Sequence, residues 1–349
     1  MWQRWVVMVC VALWSTGCGS FFLGEDPPDD PESVFEAFWE SYDRHYAHFE
    51  LKNIDWDHAY AKYRPLVTSE TSDDELFDIL AEMLGLLEDG HVYLVGGERR
   101  AFSHAKIRST RANFSLSVVE DEYLGDSLSK TGEGKITYGR IDGDLGYIRL
   151  STLSGGDGMG DDLRGWIEDF DIALDALRDT RGLVLDLRNN GGGRAYNTKY
   201  VASRFATERR PFLVTRTRNG PAHDDFSAPN WWYVEPRQKA VYDRPVVVLT
   251  NRRTFSAAEW LTLALRQFDH VRHLGTHSGG GLAMFLPREL PNGWMHTISV
   301  QDSRCPQGRS YERVGVAPHR YVENSEADQD TILDEAIREL LEATDDQFE

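Results

Sequence analysis

From Gly146 to Leu274 the chain alternates short apolar runs with longer stretches of helical periodicity. Tyr147 to Leu150 is followed by a helix-like stretch near Leu163 to Leu177 and then by Gly182 to Leu187. Val246 to Thr250 precedes a helix from Ser256 to about Phe268, and Val271 to Leu274 closes the series. A strand that is apolar at every position needs cover on both faces, and intervening helices supply it. The pattern therefore predicts an α/β domain with helices packed on a largely parallel sheet. In such a sheet, binding and catalytic loops lie at the strand ends.

The chain begins with a short positive start, Met1 to Arg4, and the apolar run Trp5 to Trp14, which is too short to span a bilayer as a helix. This is the pattern of an export signal. Ser15-Thr16-Gly17-Cys18 resembles the lipobox of bacterial lipoproteins, with Ser15 standing where leucine is usual, and implies a lipid-bearing Cys18 on a protein of the cell envelope. Glu25 to Pro31 is acidic and proline-rich, the composition of a tether. The expected organisation is a signal segment (1–18), a linker (19–30), a helical N-terminal domain (31–105), a connecting segment (106–138) and the α/β domain (139–345).

Charge and cysteine content narrow the function classes. Lys and Arg number 38 against 57 Asp and Glu, a net charge of −19, which opposes a nucleic-acid partner. The only cysteines are Cys10, Cys18 and Cys305, so no disulfide framework is expected. The oligomeric state is not legible in the sequence.

Between Ser33 and about Leu87 apolar residues fall at helical spacing, and Thr71 to Glu75 is a helix start with acidic residues where the macrodipole favours them. That helix should end near Asp89-Gly90 and deliver His91 into the next turn or strand. The stretch from Val92 to Ile136 is mixed, with Phe114 to Val119 reading as a short strand.

Two turns carry candidate chemistry. Asp186 to Gly193 (DLRNNGGG) ends an apolar strand in three glycines, which permit close approach of backbone N–H groups to a ligand, or simply make a flexible turn. Ser256 opens a helix, where free N–H groups favour an attacking alkoxide. Ser256-Ala257-Ala258-Glu259 equally reads as a capping box. Asp186 and Arg188 are read as a structural ion pair, and Trp231 to Tyr233 as a packing segment. Gly155 to Gly160 lacks a Walker lysine and reads as a loop. The spaced histidines His45/His48 and His270/His273 lack the HExxH arrangement of a zinc site.

Leu86 to His91 (LLEDGH), the DLRNNGGG turn, Thr254 to Glu259 (TFSAAE) and Tyr311 to Pro318 (YERVGVAP) occur in the order seen in a known family. Over roughly Phe35 to Val322 the chain resembles the serine peptidases that include the C-terminal processing (tail-specific) peptidases and the tricorn core. The resemblance implies a crotonase-like α/β domain and a peptidase acting on peptides or unfolded proteins without metal or organic cofactor. It also implies Ser256 as nucleophile, with the amides of Ala257 and of the glycine turn, Gly191 and Gly192, as oxyanion donors. One branch of the family activates the serine with a lysine, but Gly280 stands at the matching position and no lysine follows Lys239. The other, tricorn-like branch uses a histidine from the helical domain, matching His91, supported by a glutamate matching Glu312. His277 is the nearest rival base. His319 stands where the family usually has aspartate.

Many processing peptidases carry a PDZ module, for which the interval Val95 to Gly139 is too short. The pattern also resembles the repeats of interphotoreceptor retinoid-binding protein, which implies an alternative: a non-catalytic carrier of apolar ligands.

Overall fold

The computed structural model describes residues 28–104, 113–142, 144–155, 162–237, 241–324 and 329–345. The signal-like segment with Cys18, most of the linker and Gly156 to Gly160 lie outside the described residues.

Helix α1 (Pro31–His45) starts where Asp30 Oδ1 accepts the Ser33 amide at 3.0 Å. Pro31 costs nothing there, because a first-turn amide has no helical partner to lose. After a helical turn at Phe49–Lys52 come α2 (Trp56–Tyr63) and α3 (Asp73–Gly85), the latter opened by a Ser72/Glu75 capping box. Helix α3 stops earlier than its expected end at Asp89-Gly90. Leu86 and Leu87 bond back three residues, Glu88 has φ 41°, and the Asp89 amide turns to Ser103 Oγ at 3.1 Å. His91 then leads into β1 (Tyr93–Gly96) and β2 (Arg99–Phe102).

The remaining elements are β3 (Ser129–Thr131), β4 (Ile136–Ile141), β5 (Leu145–Leu150), α4 (Asp162–Ala176), β6 (Gly182–Asp186), α5 (Ala195–Ser203), β7 (Arg210–Thr217), β8 (Asn230–Val234) and β9 (Val246–Thr250). Then follow α6 (Ala257–Leu265), β10 (Val271–Gly275), β11 (Phe285–Glu289), β12 (Met295–Ser299), β13 (Gln301–Arg304), β14 (Arg320–Tyr321) and α7 (Thr331–Asp345). Phe114 to Val119 is not a strand: Leu116 to Leu124 forms helical turns. Its apolar residues allow either period locally, and Val119 and Leu124 are both buried against the sheet face that holds Tyr147 and Leu249.

The central sheet has the order β14-β10-β9-β6-β5-β4-β3. It is parallel from β14 through β5, while β4 and β3 are antiparallel at one edge, so the sheet is mixed and largely parallel as expected. Every position of β5, β6 and β9 is buried. Side chains alternate between faces: Val246 and Val248 join the core with Phe170 and Leu261, whereas Val247 and Leu249 meet Ile332, Ala336 and Leu340 of α7.

A second core is built by α1 and α3 through Phe35, Phe38, Tyr42, Leu80 and Leu84, together with Trp56. Leu290, Ile298 and Val300 complete it from far along the chain. The β11–β12 hairpin pairs through β12 with β1, making an antiparallel sheet of order β11-β12-β1-β2. Strands β13-β7-β8 form a third sheet, in which Trp232 packs edge-on against Trp260 at 5.0 Å while Trp231 is exposed. Arg188, fully buried, pairs with Asp186 and with Asp330, each at 2.6 Å, the structural role expected of it. No helix among the described residues is long and apolar enough to cross a membrane.

Candidate active site

Ser256 lies where β9 gives way to α6, at the ends of the parallel strands. Its backbone sits at φ 57°, ψ −126°, a region that costs a residue with a Cβ roughly 1–3 kcal/mol. The surroundings hold it there: the Phe255 amide donates to Asn190 O at 2.9 Å, Thr254 Oγ1 donates to Leu187 O at 2.8 Å, and the Ser256 amide donates to Glu259 Oε2 at 3.0 Å. Ser256 Oγ lies 3.0 Å from His91 Nε2. The cap and the hydroxyl–imidazole contact coexist, because the Glu259 carboxylate serves the backbone while the Ser256 hydroxyl faces the ring. With Nε2 unprotonated, His91 can accept a hydrogen bond from that hydroxyl.

His91 is held from three sides. Its amide donates to Asp89 Oδ1 at 2.9 Å and its carbonyl accepts Thr297 Oγ1 at 2.7 Å. The ring contacts Phe255, with centroids 4.7 Å apart, and stacks on Phe285 at 5.2 Å. Such faces orient the imidazole and tolerate its cationic form. The β11–β12 hairpin thus supplies both the Thr297 hydroxyl and the Phe285 ring.

Glu312 is buried and is not a surface partner of Arg313, which pairs with Glu88 instead. Its Oε2 accepts the Leu282 amide at 3.1 Å and its Oε1 is 3.8 Å from Lys52 Nζ. Burial, reinforced by the Asp89 charge, pushes its carboxyl up despite His48 and Lys52. Lys52 Nζ in turn lies 3.1 Å from Asp89 Oδ2, so Glu312 reaches the His91 turn through a lysine and an aspartate. Sequence reasoning missed Lys52 and Tyr46. Only the proximity of Asp89 to His91 within LLEDGH hinted at this group.

His48, Asp89 and Glu312 bring donor atoms within 4.8 Å of one another, the density of a metal site. The Lys52 ammonium already brings positive charge between the two carboxylates, so the residues fit an ion-pair cluster rather than a metal cage.

The three glycines of the turn differ in their surroundings. Gly191 and Gly193 are both exposed, whereas the buried Gly192 donates its amide to Asn190 Oδ1 at 2.9 Å. Gly193 lines a recess with Ser256 and Ala257. The turn and the helix start are closely apposed: a Cβ on Gly192 would lie 2.8 Å from the Ala257 nitrogen. Trp260, Leu282, Ala283, Met284 and Phe285 complete the walls of this cavity of about 120 Å³. His277 faces Tyr321, with ring centroids 6.5 Å apart. The His319 amide donates to His273 O at 2.8 Å, tying the approach to β14 onto β10.

A hydroxyl–imidazole pair beside two apposed backbone turns on a largely parallel sheet defines a class of acyl-transfer site. The model of peptidase family S41 matches residues 144–322, and that of the tricorn protease C1 domain matches residues 27–85. The chain belongs to peptidase family S41. It is 28% identical over 252 residues to carboxy-terminal processing protease CtpB of Bacillus subtilis, covering 70% of this chain and 48% of that protein. It is 31% identical over 182 residues to the carboxyl-terminal-processing protease of Synechocystis, covering 51% and 38%. The chain therefore spans less than half the length of these curated relatives. A crystal structure of a candidate peptidase from Parabacteroides merdae matches with a TM-score of 0.80 at 32% identity, covering 90% of this chain and 97% of that one.

Proposed function

We propose that this protein is a serine peptidase that cleaves peptides or unfolded proteins in the cell envelope through an acyl-enzyme. The carrying observation is the 3.0 Å contact between Ser256 Oγ and His91 Nε2, made by a serine held at positive φ. In this reading Ser256 attacks the scissile carbonyl and His91 takes its proton, then passes it to the leaving amine. Water releases the acyl group by the same relay in reverse. The amides of Gly193 and Ala257 receive the oxyanion, and Glu312 supports the base through Lys52 and Asp89.

The apolar recess beside Ser256 favours an aliphatic side chain on the acyl side of the cleaved bond. Strand β11 is an exposed sheet edge at the mouth of that recess, suited to an extended chain. The short interval between Val95 and Gly139 supports a peptidase without PDZ-based tail capture. The N-terminal pattern supports export and attachment through a lipid on Cys18.

The test compares the chain with its Ser256→Ala variant for labelling by a fluorophosphonate probe and for cleavage of an unfolded protein. Wild type is expected to label and cleave while the folded variant does neither. A folded wild type that does neither would overturn the proposal.

A further inference from the structure

We infer that Asp89 and Lys52 are a positioning pair for the His91 base, with Asp89 the ionised carboxylate that supports the imidazolium and Lys52 its buried counter-ion. The inference rests on the serine-peptidase reading and deepens it, because the family resemblance implies that support for Glu312 alone.

The geometry is that of a knot tied behind the base. Asp89 is completely buried. Its Oδ1 accepts the His91 amide at 2.9 Å, which fixes the backbone from which the imidazole projects. Its Oδ2 accepts Tyr46 OH at 3.0 Å and Lys52 Nζ at 3.1 Å, with His48 Nδ1 at 3.5 Å. Lys52 also donates to Tyr46 OH at 2.9 Å and to the carbonyls of Leu87 at 3.2 Å and Glu88 at 3.4 Å. One ammonium therefore gathers the carbonyls of the turn that enters His91 and the carboxylate at its base. That turn needs holding, since Glu88 is at φ 41°.

The charges agree with this placement. Burial would raise the Asp89 carboxyl, but Lys52, His48 and His91 together hold it well below the usual carboxylate range. The His91 contribution is reciprocal: a charge on Asp89 favours protonation of the ring. Glu312 is pushed the other way, mainly by burial. Of the two acids beside Lys52, Asp89 is thus the one whose charged form its neighbours favour more strongly. The other groups facing Asp89 are Tyr42 and Tyr46, both shifted well upward by burial and by the Asp89 charge and so neutral, together with His48, and His104 beyond β2. When the Ser256 proton moves to His91, the charge formed on the ring meets an anion already in place, with no reorganisation.

The experiment follows the pH dependence of fluorophosphonate labelling of Ser256 in the full chain. Asp89→Asn removes the anion that anchors the His91 turn, so labelling near neutral pH should fall about 100-fold and the acid-limb midpoint should drop by about one pH unit. The double variant Lys52→Met/Asp89→Asn removes both buried charges, so its fold carries no lone ion. It should keep the rate loss with a smaller midpoint shift. Glu312→Gln should move the midpoint less than Asp89→Asn does. A purely structural role would change thermal stability without moving the midpoint. The inference is overturned if the folded double variant labels at the wild-type rate and midpoint, or if Glu312→Gln moves the midpoint and Asp89→Asn does not. A folded wild type that fails to label overturns the peptidase reading and this pair with it, whereas a labelling wild type with unaffected variants overturns the pair alone.

Discussion

Glu259 Oε2 accepts the amide N–H of Ser256 at 3.0 Å, so the residue that caps α6 also holds the backbone of the proposed nucleophile. Its carboxylate further accepts Ser278 Oγ at 2.6 Å and the amides of Gly280 and Gly281 at 2.8 and 2.9 Å. Burial outweighs these donors and pushes the carboxyl up to about 7 from an ordinary 4.5.

A pH dependence of stability follows from that group. The native state retains the Glu259 proton over a range where the unfolded chain has released it. The contribution is therefore full below about pH 4.5 and is lost as pH rises through about 7, by roughly 3–4 kcal/mol at 1.36 kcal/mol per unit. Buried His273 and His296 act oppositely, because their lowered values remove stability as pH falls. Denaturant unfolding of wild type and Glu259→Gln across this window isolates the carboxyl: the stability of wild type relative to the variant should rise towards acid pH. A difference independent of pH would contradict the assignment.

Ser256 combines chemistry with backbone strain, and two substitutions separate them. Ser256→Ala and Ser256→Gly should each lose at least about 1000-fold in activity. The glycine variant should be the more stable of the two by about 1 kcal/mol, because glycine adopts positive φ without a Cβ penalty. Thermal unfolding of the pair checks this ordering.

Gly280, at the position of the lysine in the other family branch, has no room for a side chain. It sits at φ +83°, and a Cβ there would lie 2.7 Å from both Arg313 C and Gly315 N. Gly280→Lys should destabilise the fold by about 2 kcal/mol or more, and in a His91→Ala background it should restore no labelling. Recovery of labelling would show that this fold accepts either base.

The recess beside Ser256 predicts specificity. Ala283→Phe narrows a cavity of about 120 Å³ and should lower kcat/KM for substrates with leucine on the acyl side by about tenfold or more relative to alanine there. A panel of peptides differing at that one position measures the ratio, and an unchanged ratio would place the acyl-side residue elsewhere.

Strand β9 and helix α6 were legible because each is written in its own few residues. Val246 to Thr250 is apolar throughout, and Ser256 to Glu259 reads as a helix start on either interpretation of the serine. Phe114 to Val119 was not legible, because so short a stretch fits both periods until the sheet face it covers selects one. The pairing of β12 with β1, which brings Phe285 over His91, joins segments with no local signal for each other. The family pattern carried Ser256 and His91 as a pair, but it left Gly191, Gly192 and Gly193 indistinguishable. The Asn190 side chain distinguishes Gly192 alone, by accepting its amide.

By itself, then, the sequence determined the alternation of strands and helices, the position of the glycine turn and the residue types available for acyl transfer, because periodicity and backbone preference act over a few neighbouring residues. The tertiary structure alone decided that Lys52, at the end of a short helical turn, is buried between Asp89 and Glu312. The electrostatic state of a side chain depends on which distant groups exclude water from it, and that is a property of packing rather than of local order along the chain.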